Sequence, residues 1–138
     1  MLFFVGSWNV KITRMSVPRM IENGTMEAVI LDCDYTFSDA ERFGLVVKWY
    51  LNHDPAPVYQ WIPRQKPQDL GVLRSRLNLR HRASTDPYKK HRALDIIYPT
   101  SDLSGTYTCE VTSLSSYDGE HTMSKEMTVY GKLKYTRN

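Results

Sequence analysis

Short runs of alternating apolar and polar residues recur along this chain, punctuated by Gly, Pro, Asn and Asp. Nowhere does an apolar pattern hold a 3.6-residue period through three uninterrupted turns. The pattern predicts an all-β chain. A first run over 10–17 closes at Pro18, and Asn23-Gly24 supplies a turn before a second run over 28–35. In that second run Val29, Leu31, Cys33 and Tyr35 share one face while Ile30, Asp32 and Asp34 share the other, so Cys33 is expected to point inward. The run 44–51 alternates in the same way and directs Leu45, Val47, Trp49 and Leu51 inward. Prolines at 55 and 57 break the chain before a short strand over 58–62, which Pro63 ends. Between 70 and 83 the alternation is imperfect and mixed with arginines, and one or two short edge strands are expected there. The runs 93–98, 106–112 and 122–130 complete a set of eight or nine strands, with Tyr107, Cys109, Val111, Met127 and Val129 inward.

With 138 residues, 41% hydrophobic and 24% charged, the chain suits one globular domain with a single core. The expected organisation is a domain over 10–131, an N-terminal segment or signal-peptide remnant over 1–9, and a polar tail over 132–138. The apolar stretch that begins at Met1 is far shorter than the roughly 18 residues needed to cross a bilayer, and it lacks a basic leader and a small-residue cleavage site. Two cysteines, 76 positions apart, are either one long-range disulfide or two separate buried thiols, and their number alone does not decide. The four histidines (His53, His81, His91, His121) have no zinc-like spacing with them, so neither a metal nor another cofactor is expected.

Trp49 follows Cys33 on the next run, and Tyr107 stands two residues before Cys109. With LDCDY at 31–35, VKWY at 47–50, ALDI at 93–96 and DLSGTYTCEV at 102–111, this constellation resembles the immunoglobulin superfamily over nearly the whole chain. The resemblance implies a two-sheet sandwich with a Cys33–Cys109 disulfide, Trp49 packed beside it, and the Tyr107 hydroxyl bonded back to the chain. The long interval between the cysteines, with room for extra strands at 58–62 and 70–72, resembles the variable type. One position departs from it. Where variable domains carry an Asp six residues before the second cysteine, this chain has Leu103, with Asp102 one place earlier, which puts the usual ion pair to the lower edge strand in question. More closely, VPRM at 17–20, VYQWIPRQKP at 58–67 and EMTVY at 126–130 make the chain similar to the first immunoglobulin domain of the beaten-path family of insect neuronal surface proteins. The loop 52–57 differs from that family's short polar stretch. Members are secreted or membrane-anchored and bind sidestep-type immunoglobulin receptors in axon guidance, which implies an extracellular chain whose partner is another surface receptor.

Variable-type domains commonly bind through the outer face of the sheet that holds the core Trp. Parity places Lys48, Tyr50, Thr108, Glu110 and Thr112 there, with Glu126 and Thr128 on the last strand. Tyr59 and Trp61, or alternatively Gln60, belong to the same face, and an exposed patch of Tyr50, Tyr59 and Trp61 is the expected contact surface, since Tyr and Trp make good interface anchors. The competing expectation is a structural immunoglobulin unit of a larger or intracellular assembly, with reduced cysteines and no specific site. Asn23-Gly24-Thr25 is a glycosylation sequon in a turn. Between 64 and 92, nine Lys or Arg face two acids, a local net charge of +7 that holds half of the chain's basic residues. Such a segment either guards sheet edges against aggregation or attracts an acidic partner such as a sulfated glycan. No nucleic-acid motif accompanies it, and no nucleophile elbow, zincin helix or phosphate loop suggests an enzyme or a small-molecule substrate.

Overall fold

The computed structural model describes residues 10–114 and 120–131, so the expectations for 1–9 and 132–138 lie outside the described residues. Nine strands are present among these: β1 Lys11–Ser16, β2 Met20–Glu22, β3 Val29–Thr36, β4 Leu45–Leu51, β5 Tyr59–Trp61, β6 Gln68–Asp69, β7 Leu94–Ile96, β8 Gly105–Ser113 and β9 Glu120–Tyr130. They form a three-stranded sheet, β1-β3-β7, and a six-stranded sheet, β2-β9-β8-β4-β5-β6. The two sheets pack face to face as an all-β sandwich.

Strict alternation drives this layering. In β3 and β4 every second residue is buried and its neighbours are half-exposed or exposed, because a strand against one core can hide only one face. Cys33 on β3 and Cys109 on β8 meet across the sandwich in a disulfide. Trp49 on β4 is paired in register with Cys109, so its indole lies on the same inner face and fills the space beside the sulfurs. Its Nε1–H donates to the Arg92 carbonyl at 2.9 Å. Tyr107 is fully buried and its hydroxyl donates to the Leu103 carbonyl at 2.6 Å. Cost-free burial of these polar tips depends on those partners.

Two departures from the pattern reading and one tight turn stand out. The run expected over 10–17 ends at Pro18 as anticipated, but the chain then crosses to the other sheet and adds β2, parallel to β9. Three residues are too few to show a period. In the 70–83 stretch the expected strand at 70–72 is absent: β6 precedes it at Gln68–Asp69, Gly71–Leu73 is a 3-10 turn, and only the isolated bridge Leu77 to Ile96 marks a lower edge. Finally, Asn52 and His53 both adopt positive φ in the turn that leaves β4, closed by the Asp54 amide donating to the Leu51 carbonyl at 3.2 Å. The Asn52 side chain then accepts the Thr106 amide, and a Cβ on Gly105 would come within 2.2 Å of it, so that position requires glycine.

Ion pairs lock the three-stranded sheet from outside. The buried Arg92 guanidinium is bidentate on Asp32, with Nε at 2.8 Å and a terminal nitrogen at 3.0 Å, and reaches Asp34 at 2.9 Å. Lys89 also binds Asp34, at 3.1 Å. The ion pair in question at Leu103 forms with the neighbouring residue instead: in the 3-10 turn Ser101–Leu103, Leu103 is buried and Asp102 projects outward to Arg76 at 3.1 Å.

Candidate functional site

The outer face of the six-stranded sheet is built by cross-strand pairs. Lys48 on β4 lies opposite Glu110 on β8 and Gln60 on β5, and Tyr50 lies opposite Thr108. On the far side Thr108 pairs with Ser124 and Glu110 with Thr122, both on β9. Directly opposed residues share a face, so these side chains form one continuous surface. Its members brace one another. The Tyr50 hydroxyl donates to Glu110 Oε1 at 3.0 Å, and the Thr108 and Ser124 hydroxyls bond at 2.7 Å. No helix longer than a 3-10 turn occurs among the described residues. Lys48, Tyr50, Thr108, Glu110 and Thr112 are half-exposed there, and Glu126 and Thr128 are exposed.

The expected aromatic patch does not exist. Tyr59 and Trp61 are 2% and 1% exposed, and Gln60 is the β5 residue that reaches the outer face. Register decides the matter. Tyr59 pairs with Trp49 and Trp61 with Val47, two inward residues, so both aromatics are carried into the core. The Tyr59 hydroxyl donates to the His91 carbonyl at 2.6 Å, and Trp61 Nε1–H to the Gln65 carbonyl at 3.1 Å, with the His91 ring edge-on at 5.6 Å. Burial pushes the Tyr59 hydroxyl's pKa upward, so it stays a neutral donor. A signal was present: two large rings flanking a glutamine read as an inward-facing pair in a half-buried strand.

Electrostatics of the basic segment also differ from a plain surface run. Burial alone would raise the Asp32 carboxyl, but the Arg92 hydrogen bonds and charge, the Cys33 amide and Arg14 outweigh it and hold it below the usual carboxylate range. Asp34 is held low in the same way, burial being overcome by Lys89, the Tyr35 amide and Arg92. Arg92 and Lys89 are therefore structural cations, which sequence reasoning counted with the surface charges because nothing local in the chain reveals their partners some 55 to 60 residues away. Asn23 sits exposed in the turn after β2, its amide donating to the Tyr130 carbonyl at 2.8 Å.

No protein-family model matches this chain, and no curated protein matches it. An all-β sandwich whose two sheets are joined by one disulfide is compatible with an immunoglobulin-like fold. The disulfide fits an oxidising compartment. No described helix is long and apolar enough to cross a membrane, and the described residues hold no group of three or more His, Cys, Asp or Glu that could bind a metal ion.

Proposed function

We propose that this chain is a variable-type immunoglobulin module that acts outside the cell by binding another protein, and that it has no catalytic role. The observation that carries the reading is the outer face of the six-stranded sheet, where Lys48, Tyr50, Gln60, Thr108 and Glu110 stand in register and half-exposed among the described residues. Tyr50 is its natural anchor. Its ring is held in one orientation by Glu110, so little side-chain entropy is lost when a partner covers it. The order of strands supports the variable type, with β5 and β6 extending the sheet beyond β4. The sequence strings shared with the beaten-path family favour an immunoglobulin-type receptor, sidestep-like, as the partner, in adhesion or axon guidance.

The test is a screen of the oxidised full chain against a panel of cell-surface ectodomains, followed by Tyr50→Ala and Lys48→Glu. An anchor of this kind is worth about 2 kcal/mol or more, so Tyr50→Ala is expected to weaken binding at least about 30-fold with the melting curve unchanged. Full binding by both folded variants would move the contact surface elsewhere.

A further inference from the structure

The fold sorts the nine cations of 64–92 into two groups. Arg92, Lys89 and Arg76 are held by Asp32, Asp34 and Asp102. Arg64, Lys66, Arg74, Arg80, Arg82 and Lys90 make no ion pair among the described residues. Several of this second group converge. The amide of Ala83 donates to the Lys90 carbonyl at 2.9 Å, which folds the segment back and sets Arg82 beside Lys90 and His91. Across from them the turn after β5, closed by the Gln65 amide on the Ile62 carbonyl, presents Arg64 and Lys66. Between the two lies a groove of about 330 Å³ whose walls include Arg64, Lys66, Lys90 and His91, with Trp61 at its base. The strip continues beyond the groove. Arg64 lies over the Tyr88 ring at 5.9 Å and donates to its hydroxyl, and Arg42 approaches the same ring at 5.7 Å.

Three carboxylates share these turns: Asp39, 3.9 Å from Arg42, the buried Glu41 of the same 3-10 turn, and Asp86, which accepts the Tyr88 amide. Against them stand Arg42, Arg64, Lys66, Arg82 and Lys90, so the strip keeps a net positive field. The imidazole of His91 lines the same groove. Its pKa is lowered first by burial and then by the charges of Lys90, Arg82 and His81, against the opposing effect of its bond to the His81 carbonyl. Protection of the β6 edge does not account for the arrangement, because that strand, Gln68–Asp69, carries no cation of its own.

We propose that this strip is a binding site for a sulfated polysaccharide. A linear chain of sulfates offers repeated fixed anions to guanidinium forks and ammonium groups, and needs neither an apolar anchor nor a stacking platform. The groove lining presents neither to solvent, and the exposed Phe43 ring, where the strip continues, is approached by Arg42 at 5.5 Å. None of the exposed large apolar side chains lines the groove, which disfavours an acidic protein. Tyr59 and Trp61 are buried, and the Tyr88 ring is occupied by Arg42, Arg64 and Phe37, which disfavours single-stranded nucleic acid. The inference stands independently of the protein-binding face.

The test uses the oxidised full chain on immobilised heparin at several salt concentrations. The variant R64Q/K66Q/R82Q/K90Q is compared with K11Q/R19Q/R74Q/K125Q, which removes the same formal charge from exposed positions elsewhere. The groove variant is expected to lose at least about tenfold in affinity and to flatten the salt dependence by roughly three units of the log–log slope, while the control stays within about twofold. Hyaluronan, polyglutamate and an oligo(dT) strand are run in parallel, and heparin is expected to bind at least about tenfold more tightly than each. Equal losses in the two variants, no loss in the groove variant, or a comparator that matches heparin would overturn the proposal. Should the quadruple variant fail to fold, K66Q/K90Q is compared with K11Q/K125Q, and a slope change of about 1.5 units with a loss of at least about threefold in affinity is expected for the groove pair alone.

Discussion

Replacing Arg92 with methionine keeps most of the buried stem and removes the cation on which Asp32 and Asp34 depend. Three charge-assisted hydrogen bonds, at 2.8, 2.9 and 3.0 Å, are lost together. Breaking a fully buried ion pair by deleting one partner costs about 3–5 kcal/mol. Here the stranded carboxylates keep some solvent, with side chains 15% and 29% exposed, and each retains a second cation in Arg14 or Lys89. A loss of about 2–3 kcal/mol at pH 7 is therefore expected, below that range. The pH dependence follows from the directions of the shifts. In the native chain both carboxyls titrate below their unfolded value of about 4, so their contribution is complete above it and is lost as pH falls through the depressed folded values. Without Arg92 that contribution shrinks, so the native and variant curves converge as pH drops below about 4. Equilibrium urea unfolding followed by the fluorescence of the buried Trp49 and Trp61, at pH 7 and near pH 3, measures both quantities. A difference below about 0.5 kcal/mol at pH 7, or one that persists undiminished at low pH, would refute the account of Arg92 as the keystone of a buried charge cluster.

Three further outcomes are expected. Reducing the disulfide, or replacing both Cys33 and Cys109 with alanine, should cost about 4.5 kcal/mol from loop closure over 76 residues, measured by guanidinium unfolding with and without reductant. Tyr107→Phe leaves the buried Leu103 carbonyl without its donor and should lower stability by about 1–3 kcal/mol with an unchanged urea slope. Trp61→Ala should cost about 3–5 kcal/mol as a core truncation, and a melting temperature indistinguishable from the native chain's would show that its ring is not part of the core.

Local alternation was enough to place the inner faces of β3, β4 and β8, because a half-buried strand writes its two-residue period directly into the chain. Glycine and proline punctuation likewise marked the breaks near Pro18, Asn23-Gly24 and Pro63. The outward parity of Lys48, Tyr50, Thr108 and Glu110 was legible for the same reason. β2 and β6 were not, since two or three residues cannot display a period and both exist only because a longer neighbour offers them hydrogen bonds.

What the sequence by itself determined is thus the fold class, the long strands and the inward set of large apolar residues around the two cysteines, all of which rest on patterns a few residues long. Tertiary structure alone decided three things: the side to which Tyr59 and Trp61 turn, which basic residues are spent on carboxylates, and which converge on a groove. Each depends on pairing between segments tens of residues apart. The free energy of such pairing belongs to the register and to the shared low-dielectric interior rather than to either segment, so no local signal encodes it.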